Sequence, residues 1–261
     1  MGTTFLSLGP AGAAPAEWEK TVPALLRGDF PNPRPLVATY HFGWNDLVAA
    51  TAEIRFGAKD GQLQLQGAGQ TNNVVRSLWK FDTRLRALAD PVTLRPIAMH
   101  QVDVTRKKTV TTDLVFKPGS VERVRFDNKT AKKPAPKTFA FASGVYDLHS
   151  ALLTLRSQPM REGDSYRLVV YPATSPYLAN LTVVGRSPLT VAAGTYPAIK
   201  LDVHLDKIGK KGELEPHKKF RRASVWLSDD SDRLLLRVEA SIFVGTVFTE
   251  LQSVRFPDEK P

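Results

Sequence analysis

Residues 36–66, LVATYHFGWNDLVAATAEIRFGAKDGQLQLQ, set the fold of this chain. Residues 36–42 and 50–56 approximate the alternation of apolar and polar side chains that is typical of half-buried strands, with a turn at 43–46 between them. Residues 62–66 alternate strictly. Because turns this short join antiparallel neighbours, the stretch predicts a meander of antiparallel strands.

The strand pattern continues along most of the chain. Apolar residues recur at helical spacing from Val74, which predicts a short helix over about residues 73–80 and then a strand. Residues 94–126 predict three further strands, and residues 165–256 are nearly all strand. The predicted fold is therefore mainly β, a strongly curved antiparallel sheet or barrel-like meander with two short helices. In its last third, turns are predicted at residues 174–176, 185–188, 193–194, 209–212 and 228–232.

Residues 147–158, DLHSALLTLRSQ, form the clearest predicted helix. They carry one apolar stripe; Asp147 is placed to cap the free amides at the start, and Arg156 lies near the negative end. Asp147, His149 and Ser150 also contain the residue types of a hydrolytic triad. Neighbours on one helix face different directions, however, and no glycine-flanked nucleophile elbow surrounds Ser150. We therefore interpret Asp147 and Ser150 as structural and name no catalytic residue.

The composition is that of a globular protein. Of 261 residues, 42% are hydrophobic and 24% are charged, and no apolar run is long enough for a transmembrane helix. We expect a single antiparallel β domain over residues 34–256, between a flexible leader or tail at 1–33 and a tail at 257–261. A basic loop is predicted over about residues 127–143, with a linker between two domains as the alternative reading.

Several chemistries are excluded by what the sequence lacks. There is no cysteine, so there are no disulfides, thiol nucleophiles or thiolate metal ligands. No phosphate-cradling loop, dinucleotide motif or paired histidine motif is present. We therefore predict neither a cofactor nor a metal.

The chain is basic, with 36 Lys and Arg against 26 acidic residues and a formal charge of +10. Such a charge attracts anions, and two basic runs are candidates for an anion-attracting surface. The alternative is that these lysine-rich loops keep the strands soluble and block edge-to-edge pairing. The runs lack interleaved aromatic residues for stacking bases, so no nucleic acid is expected as a partner. The candidate residues are Lys132, Lys133, Lys210, Lys211, Lys218, Lys219, Arg221 and Arg222.

The most acidic short segment, residues 225–236, reads VWLSDDSDRLLL. Asp229, Asp230 and Asp232 are oxygen ligands of the kind that Ca²⁺ prefers, but the glycine and the final glutamate of a calcium-binding EF-hand loop are missing. Strand-like residues flank the carboxylates, and Ser and Asp side chains commonly bond to turn amides. We predict the tip of a hairpin, with contacts to Arg156 or Arg233 as a further structural role.

Several short motifs follow one another in a fixed order over about residues 36–251. They are Tyr40 with Trp44; Asp90-Pro91-Val92-Thr93-Leu94-Arg95-Pro96; Asp147 with Ser150, Ala151, Leu152 and Arg156; Ala193-Gly194-Thr195-Tyr196; Trp226-Leu227-Ser228-Asp229-Asp230; and Gly245 before Glu250-Leu251. In this order they resemble the bacterial family DUF3108, which comprises exported proteins of unknown function. Where similar proteins tend to read Asp-Pro-Leu-Ser, this chain has Asp147-Leu148-His149-Ser150, which keeps the helix start. The resemblance implies an exported, largely periplasmic protein with a strongly curved antiparallel sheet, and it supplies no catalytic residues.

These observations favour a non-enzymatic, periplasmic or otherwise exported protein. Small residues over 1–16 resemble the end of a trimmed export signal, with a disordered tail as the alternative. We expect the curved sheet to bind or carry a lipid or another apolar or amphipathic anionic ligand, with Tyr40, Phe42, Trp44 and Trp226 as candidate lining residues. The second hypothesis is a structural component of the envelope that binds an envelope protein or an anionic polymer. The third is a hydrolase of a cell-wall polymer.

Overall fold

The computed structural model describes residues 16–45, 47–130, 134–216, 222–242 and 245–257. Over these residues the chain forms three short helices and one antiparallel sheet of fifteen strands. The helices are α1 (Glu17–Lys20), α2 (Asn73–Leu78) and α3 (Leu148–Arg156). The strands are β1 (Leu36–Trp44), β2 (Leu47–Lys59), β3 (Gln62–Thr71), β4 (Phe81–Ala89), β5 (Pro96–Thr105), β6 (Thr109–Lys117), β7 (Ser120–Asp127), β8 (Lys137–Ala140), β9 (Ser165–Val170), β10 (Tyr177–Val191), β11 (Gly194–Ile208), β12 (Leu214–Pro216), β13 (Arg222–Ser228), β14 (Leu235–Ile242) and β15 (Gly245–Arg255).

The strands form two meanders of sequential neighbours, and the pairing of the last strand, β15, with the first, β1, joins them into one sheet. From one edge it runs β8-β7-β6-β5-β4-β3-β2-β1-β15-β14-β13-β11-β10-β9, and β12 pairs beside β11. The sheet is therefore curved but not closed. The predictions of a mainly β, strongly curved antiparallel fold and of helices near residues 73 and 147 are confirmed.

Two local predictions are wrong. The predicted loop over residues 127–143 contains β8, which pairs with β7 from Arg123 to Ser120. No turn forms at residues 185–188, because Pro188 lies opposite Pro197 inside the β10–β11 ladder and the extra residue Val184 is taken up as a bulge. Proline opposite proline leaves no backbone donor unpaired at that position, so the strand continues through it.

The sheet rolls up until one edge lies inside the molecule. In β9, consecutive residues Leu168, Val169 and Val170 are all buried, so both faces of this strand are covered. Leu168 packs in the cluster that contains Leu155 of α3, whereas Val169 packs in the cluster that contains Leu114 of β6. The edge itself is capped by Tyr146, whose backbone N–H donates to Val169 O at 2.9 Å. Rolling thus replaces closure as the way to hide a sheet edge.

Helix α3 lies inside this roll. The Asp147 carboxylate accepts from the Ser150 backbone N–H and from its hydroxyl, both at 2.7 Å, which is the predicted N-cap. Leu155 packs against β9 to β11, and Leu153 packs against Phe56 on the other side. The helix therefore ties the two halves of the rolled sheet to one core.

Residues 16–35, the N-terminal strap, lie along the roll. Trp18 Nε1 donates to Gly212 O at 2.6 Å, the Gly28 N–H donates to Ser157 Oγ at 2.9 Å, and Gln158 Nε2 donates to Leu26 O at 2.8 Å. The prediction of a flexible segment over 1–33 is wrong for residues 16–33, because these contacts fix it; residues 1–15 lie outside the described part. A flexible tail was predicted because the strap has no periodic apolar pattern, and its contacts are long-range.

Candidate functional site

The inner face of the sheet carries a row of side chains that crosses five strands. Phe42 pairs with Thr249, Thr249 with Val238, Val238 with Val225, and Val225 with Leu201. Directly paired residues project to the same face of a sheet, so all five side chains face the interior. Leu201 is fully buried in the core cluster that holds α3, while Phe42 is 39% exposed. The row leads from the core out to solvent.

A second row lies beside the first. Trp44 pairs with Val247, Val247 with Ala240, Ala240 with Ala223, and Ala223 with Val203. Trp44 is 43% exposed, and Val247 and Val203 are half-buried. Together the rows form an apolar surface on the inner face of the curved sheet, and this surface begins at the core cluster that holds α3. We call it the apolar trough, defined by Phe42, Trp44, Val203, Val225, Val238 and Val247.

The structure brings two of the four predicted lining residues into the trough. Tyr40 shares the face of Phe42 and Trp44, but it is buried, and its hydroxyl donates to Leu235 O at 2.9 Å. Burial raises the pKa of the Tyr40 hydroxyl well above its ordinary value. Trp226 pairs with Arg237 and lies beside Lys200 on the opposite face from Val225, so it does not line the trough.

The trough opens at one end of the roll, which we call the open end. Strand direction alternates along the sheet, so the β1–β2 turn, α2 and the β5–β6 turn all lie at this end. Contacts join these neighbours: the Asn72 N–H donates to Ala49 O at 2.9 Å, and Arg106 donates to the carbonyl of Ser77. Large apolar side chains are exposed here: Phe42, Trp44, Leu47, Val74, Leu78 and Trp79.

Basic residues surround this exposed apolar surface. Arg106 donates hydrogen bonds to backbone carbonyls, and no carboxylate among the described residues pairs with its charge. Lys210 and Lys211 lie in the exposed turn after β11, where Gly212 contacts Trp18 of the strap, so they do not join this surface. Of the other residues predicted to attract anions, Lys132, Lys133, Lys218, Lys219 and Arg221 lie outside the described residues, and Arg222 begins β13 with no described side chain.

The acidic turn lies at the other end, which we call the strap end. Asp230 Oδ1 accepts from Ser228 Oγ and from the backbone N–H of Asp232 and Arg233, at 2.7 to 3.0 Å. Asp229 pairs with Arg186 at 2.9 Å. Each of these carboxylates has a protein partner, and no group of three or more possible metal ligands occurs among the described residues.

Two arginines lock this turn to α3. Asp232 pairs with Arg34 at 2.7 Å, and its carbonyl accepts from Arg156. Arg233 Nη1 donates to Arg156 O at 2.5 Å, and its guanidinium lies over the Phe30 ring. The hairpin-tip interpretation therefore fits the geometry of the turn, and the strap completes it.

The other predicted structural positions act in turns. Asp90 Oδ1 accepts from the backbone N–H of Thr93 at 2.6 Å, and such bonds lower the pKa of the Asp90 carboxyl. Pro91 offers its carbonyl to Arg27 of the strap at 2.8 Å. Gly194 begins β11 at a φ of 136°, which a β-carbon would strain.

The triad residue types on α3 do not form a catalytic arrangement. Ser150 is fully buried and held by Asp147, and the His149 ring packs against Phe56 with centroids 5.7 Å apart. Burial raises the pKa of the Asp147 carboxyl to about 6 and lowers the pKa of the His149 imidazole to about 4. Asp147 Oδ2 and His149 Nε2 are buried without a hydrogen-bond partner. Because burial shifts these two pKa values, the free energy of unfolding should depend on pH.

Sequence reasoning missed a depression of about 450 Å³ on the outer face of β2 to β5. Arg84 and Arg86 flank it, and neither makes an ion pair with a described residue, whereas Arg55 pairs with Glu53 at 2.8 Å. The signal was present as arginines at alternate positions of a strand. Such a pattern places them on one face, but only the tertiary structure shows the depression beside them.

The fold and the trough define a class of protein: a rolled antiparallel sheet with a helix inside it and an apolar inner surface open at one end. The chain belongs to the family described as "Protein of unknown function (DUF3108)", whose model matches residues 39–252. A search of curated proteins finds no match.

One solved structure supports the fold, and two others are similar at lower TM-scores. A beta-barrel-like protein of domain of unknown function DUF1849 from Brucella abortus superposes with a TM-score of 0.62 at 10% identity, covering 87% of this chain and all of its own. A "putative lipoprotein" from Parabacteroides distasonis gives a TM-score of 0.35 at 7% identity, covering 88% of this chain and 99% of its own. A "putative exported protein with YmcC-like fold" from Bacteroides fragilis gives 0.34 at 10% identity, with the same coverages. None of the helices in the described part has the length and apolar character that a membrane span requires.

Proposed function

We propose that the protein is an exported, non-catalytic binding protein that holds an apolar or amphipathic anionic molecule in the apolar trough. One observation carries the proposal: the row from Leu201 to Phe42 continues the core's inner face without a polar interruption other than Thr249, and then emerges into solvent. Binding of an apolar ligand to apolar side chains on a concave surface is favourable, because the ligand displaces water from them.

The charge at the open end supports an anionic group on the ligand. Arg106 and Lys107 are exposed at this end, and neither pairs with a carboxylate among the described residues. An acyl chain in the trough would leave a headgroup near these side chains, where opposite charge favours it. Export is part of the proposal and rests on the family resemblance; fractionation of the source bacterium, with the protein in the cytoplasm, would refute that part.

A matched pair of variants tests the trough. Phe42 is 39% exposed on the inner face, and Phe126 is 41% exposed on β7, where its pairing with Thr111 places it on the outer face. A glutamate at position 42 places a carboxylate in the apolar surface, so Phe42→Glu should weaken binding of a fluorescent fatty-acid analogue about tenfold or more. Phe126→Glu should bind as the wild type does.

The same proteins, purified gently, are analysed by native mass spectrometry. We expect co-purified lipid on the wild type and on Phe126→Glu, and less on Phe42→Glu. If the wild type neither carries lipid nor binds the analogue, or if both variants bind alike, the trough is not a ligand site.

A further inference from the structure

We propose that the open end docks on the surface of an anionic lipid bilayer. The occupant of the trough does not enter this inference, which rests on α2 and on the turns beside it. The two proposals can therefore fail separately.

The apolar residues at the open end are exposed on projecting tips. Val74 and Leu78 lie one turn apart on α2 and are 72% and 80% exposed, and the next residue, Trp79, is 57% exposed. Leu47, in the neighbouring β1–β2 hairpin, is 52% exposed and pairs with Trp44. These elements are adjacent in the sheet, because β2 pairs with β3 and β3 with β4. Four exposed apolar tips on adjacent elements form a surface that an apolar layer such as a bilayer can cover.

Cationic side chains flank the same tips. Arg106 donates to the carbonyls of Arg76 and Ser77, two consecutive residues in the last turn of α2, which brings its charge beside Leu78. Lys107, next to Arg106 in the turn between β5 and β6, is also exposed. The neighbouring carboxylates are already paired: Asp82 with Arg76 at 2.6 Å, and Asp127 with Lys108 at 2.8 Å. The positive charge of Arg106 and Lys107 therefore remains available to anionic headgroups.

This combination matches the chemistry of a membrane interface. Tryptophan favours the headgroup level, aliphatic side chains enter the acyl boundary, and lysine and arginine meet anionic lipid. A neutral bilayer would satisfy only the first two of these. The strap end exposes apolar residues as well. There Asp229 pairs with Arg186 and Asp232 pairs with Arg34, so these charges are balanced within the chain.

The two ends supply a matched test. Val74 and Leu78 at the open end compare with Val92 and Leu26 at the strap end, which are 70% and 71% exposed. The double variants Val74→Glu/Leu78→Glu and Val92→Glu/Leu26→Glu change the same charge at the same residue types. All proteins are sedimented with vesicles of neutral phosphatidylcholine, with or without an added anionic phosphatidylglycerol fraction.

We expect the wild type and the strap-end variant to bind the anionic vesicles alike, with weaker binding at higher salt, and the open-end variant to bind at least tenfold less. Trp79 and Trp44 should be quenched by brominated lipid in the bound wild type. A wild type that does not sediment, equal binding by both double variants, or equal binding to neutral vesicles would each overturn the proposal. Phe42→Glu should keep most vesicle binding, so a failed trough and a failed docking surface give different results.

Discussion

The two ends of the roll use the same kinds of side chain for opposite purposes. At the strap end, carboxylates of the 229–232 turn bond to backbone amides and arginines. The strap contacts the end of α3 through the bond from the Gly28 N–H to Ser157 Oγ. At the open end, aromatic and aliphatic side chains are exposed, and Arg106 and Lys107 have no carboxylate partner among the described residues. The charged groups of the strap-end turn are paired within the chain, whereas Arg106 and Lys107 at the open end are not. The comparison separates paired charges, which stabilise the fold, from the exposed residues on which both proposals rest.

The largest expected effect comes from separating the strap from α3. A β-carbon at Gly28 would lie 2.2 Å from Ser157 O, a backbone atom that cannot move without disturbing the helix end. We expect Gly28→Val to lower the free energy of unfolding by about 4 kcal/mol, measured by urea denaturation. Gly57→Ala is the control, because the nearest atom to a new β-carbon there is 3.7 Å away in Pro35. Similar losses for both variants would show that the strap does not hold the helix.

The buried groups of α3 should make the strap end sensitive to pH. The pKa of the Asp147 carboxyl is raised to about 6 in the folded protein. The protonated carboxyl therefore stabilises the fold fully at pH values below its pKa in the unfolded chain, and this stabilisation is lost as the pH rises through 6. Asp147→Asn removes this dependence and keeps an oxygen for the cap. Its stability relative to wild type should rise by about 2.5 kcal/mol between pH 4 and pH 8, measured by urea denaturation across that range.

His149 should have the opposite sign. Its pKa is lowered to about 4, so its contribution is present above pH 6.5 and is lost as the pH falls through 4. His149→Gln should therefore gain on wild type by about 3 kcal/mol as the pH falls from 7 to below 4. Parallel pH curves for this variant and the wild type would contradict the burial argument.

The smallest expected effect is at the open end. Val74 and Leu78 bury little of their surface, so Val74→Glu/Leu78→Glu should change the free energy of unfolding by less than about 0.5 kcal/mol while it abolishes vesicle binding. Thermal unfolding in the absence of lipid measures the first quantity. A loss of several kcal/mol would mean that α2 belongs to the core, and the contrast between the ends would disappear.

Prediction from sequence succeeded where a pattern is local. The alternation over residues 36–66 gave β1 to β3, and the stripe with Asp147 at its head gave α3 and its cap. It failed at residues 16–33, where a segment without periodicity is held by partners more than 100 residues away, such as Leu26 by Gln158. The predicted lining residues show the same limit of a local pattern. Phe42 and Trp44 lie in the trough, whereas Trp226 follows Val225 in β13 and therefore faces the opposite side of the sheet.

The sequence by itself determined the strands, the two internal helices, the acidic hairpin tip and the basic charge, because each follows from residue spacing and turn chemistry within a few positions. Only the tertiary structure decided that the sheet rolls over its own β9 edge, that the strap closes one end, and that exposed aromatic and basic residues gather at the other. These features depend on how much each strand pair twists and on contacts between distant segments. Such contacts are selected by the packing of the whole core, which no local pattern encodes.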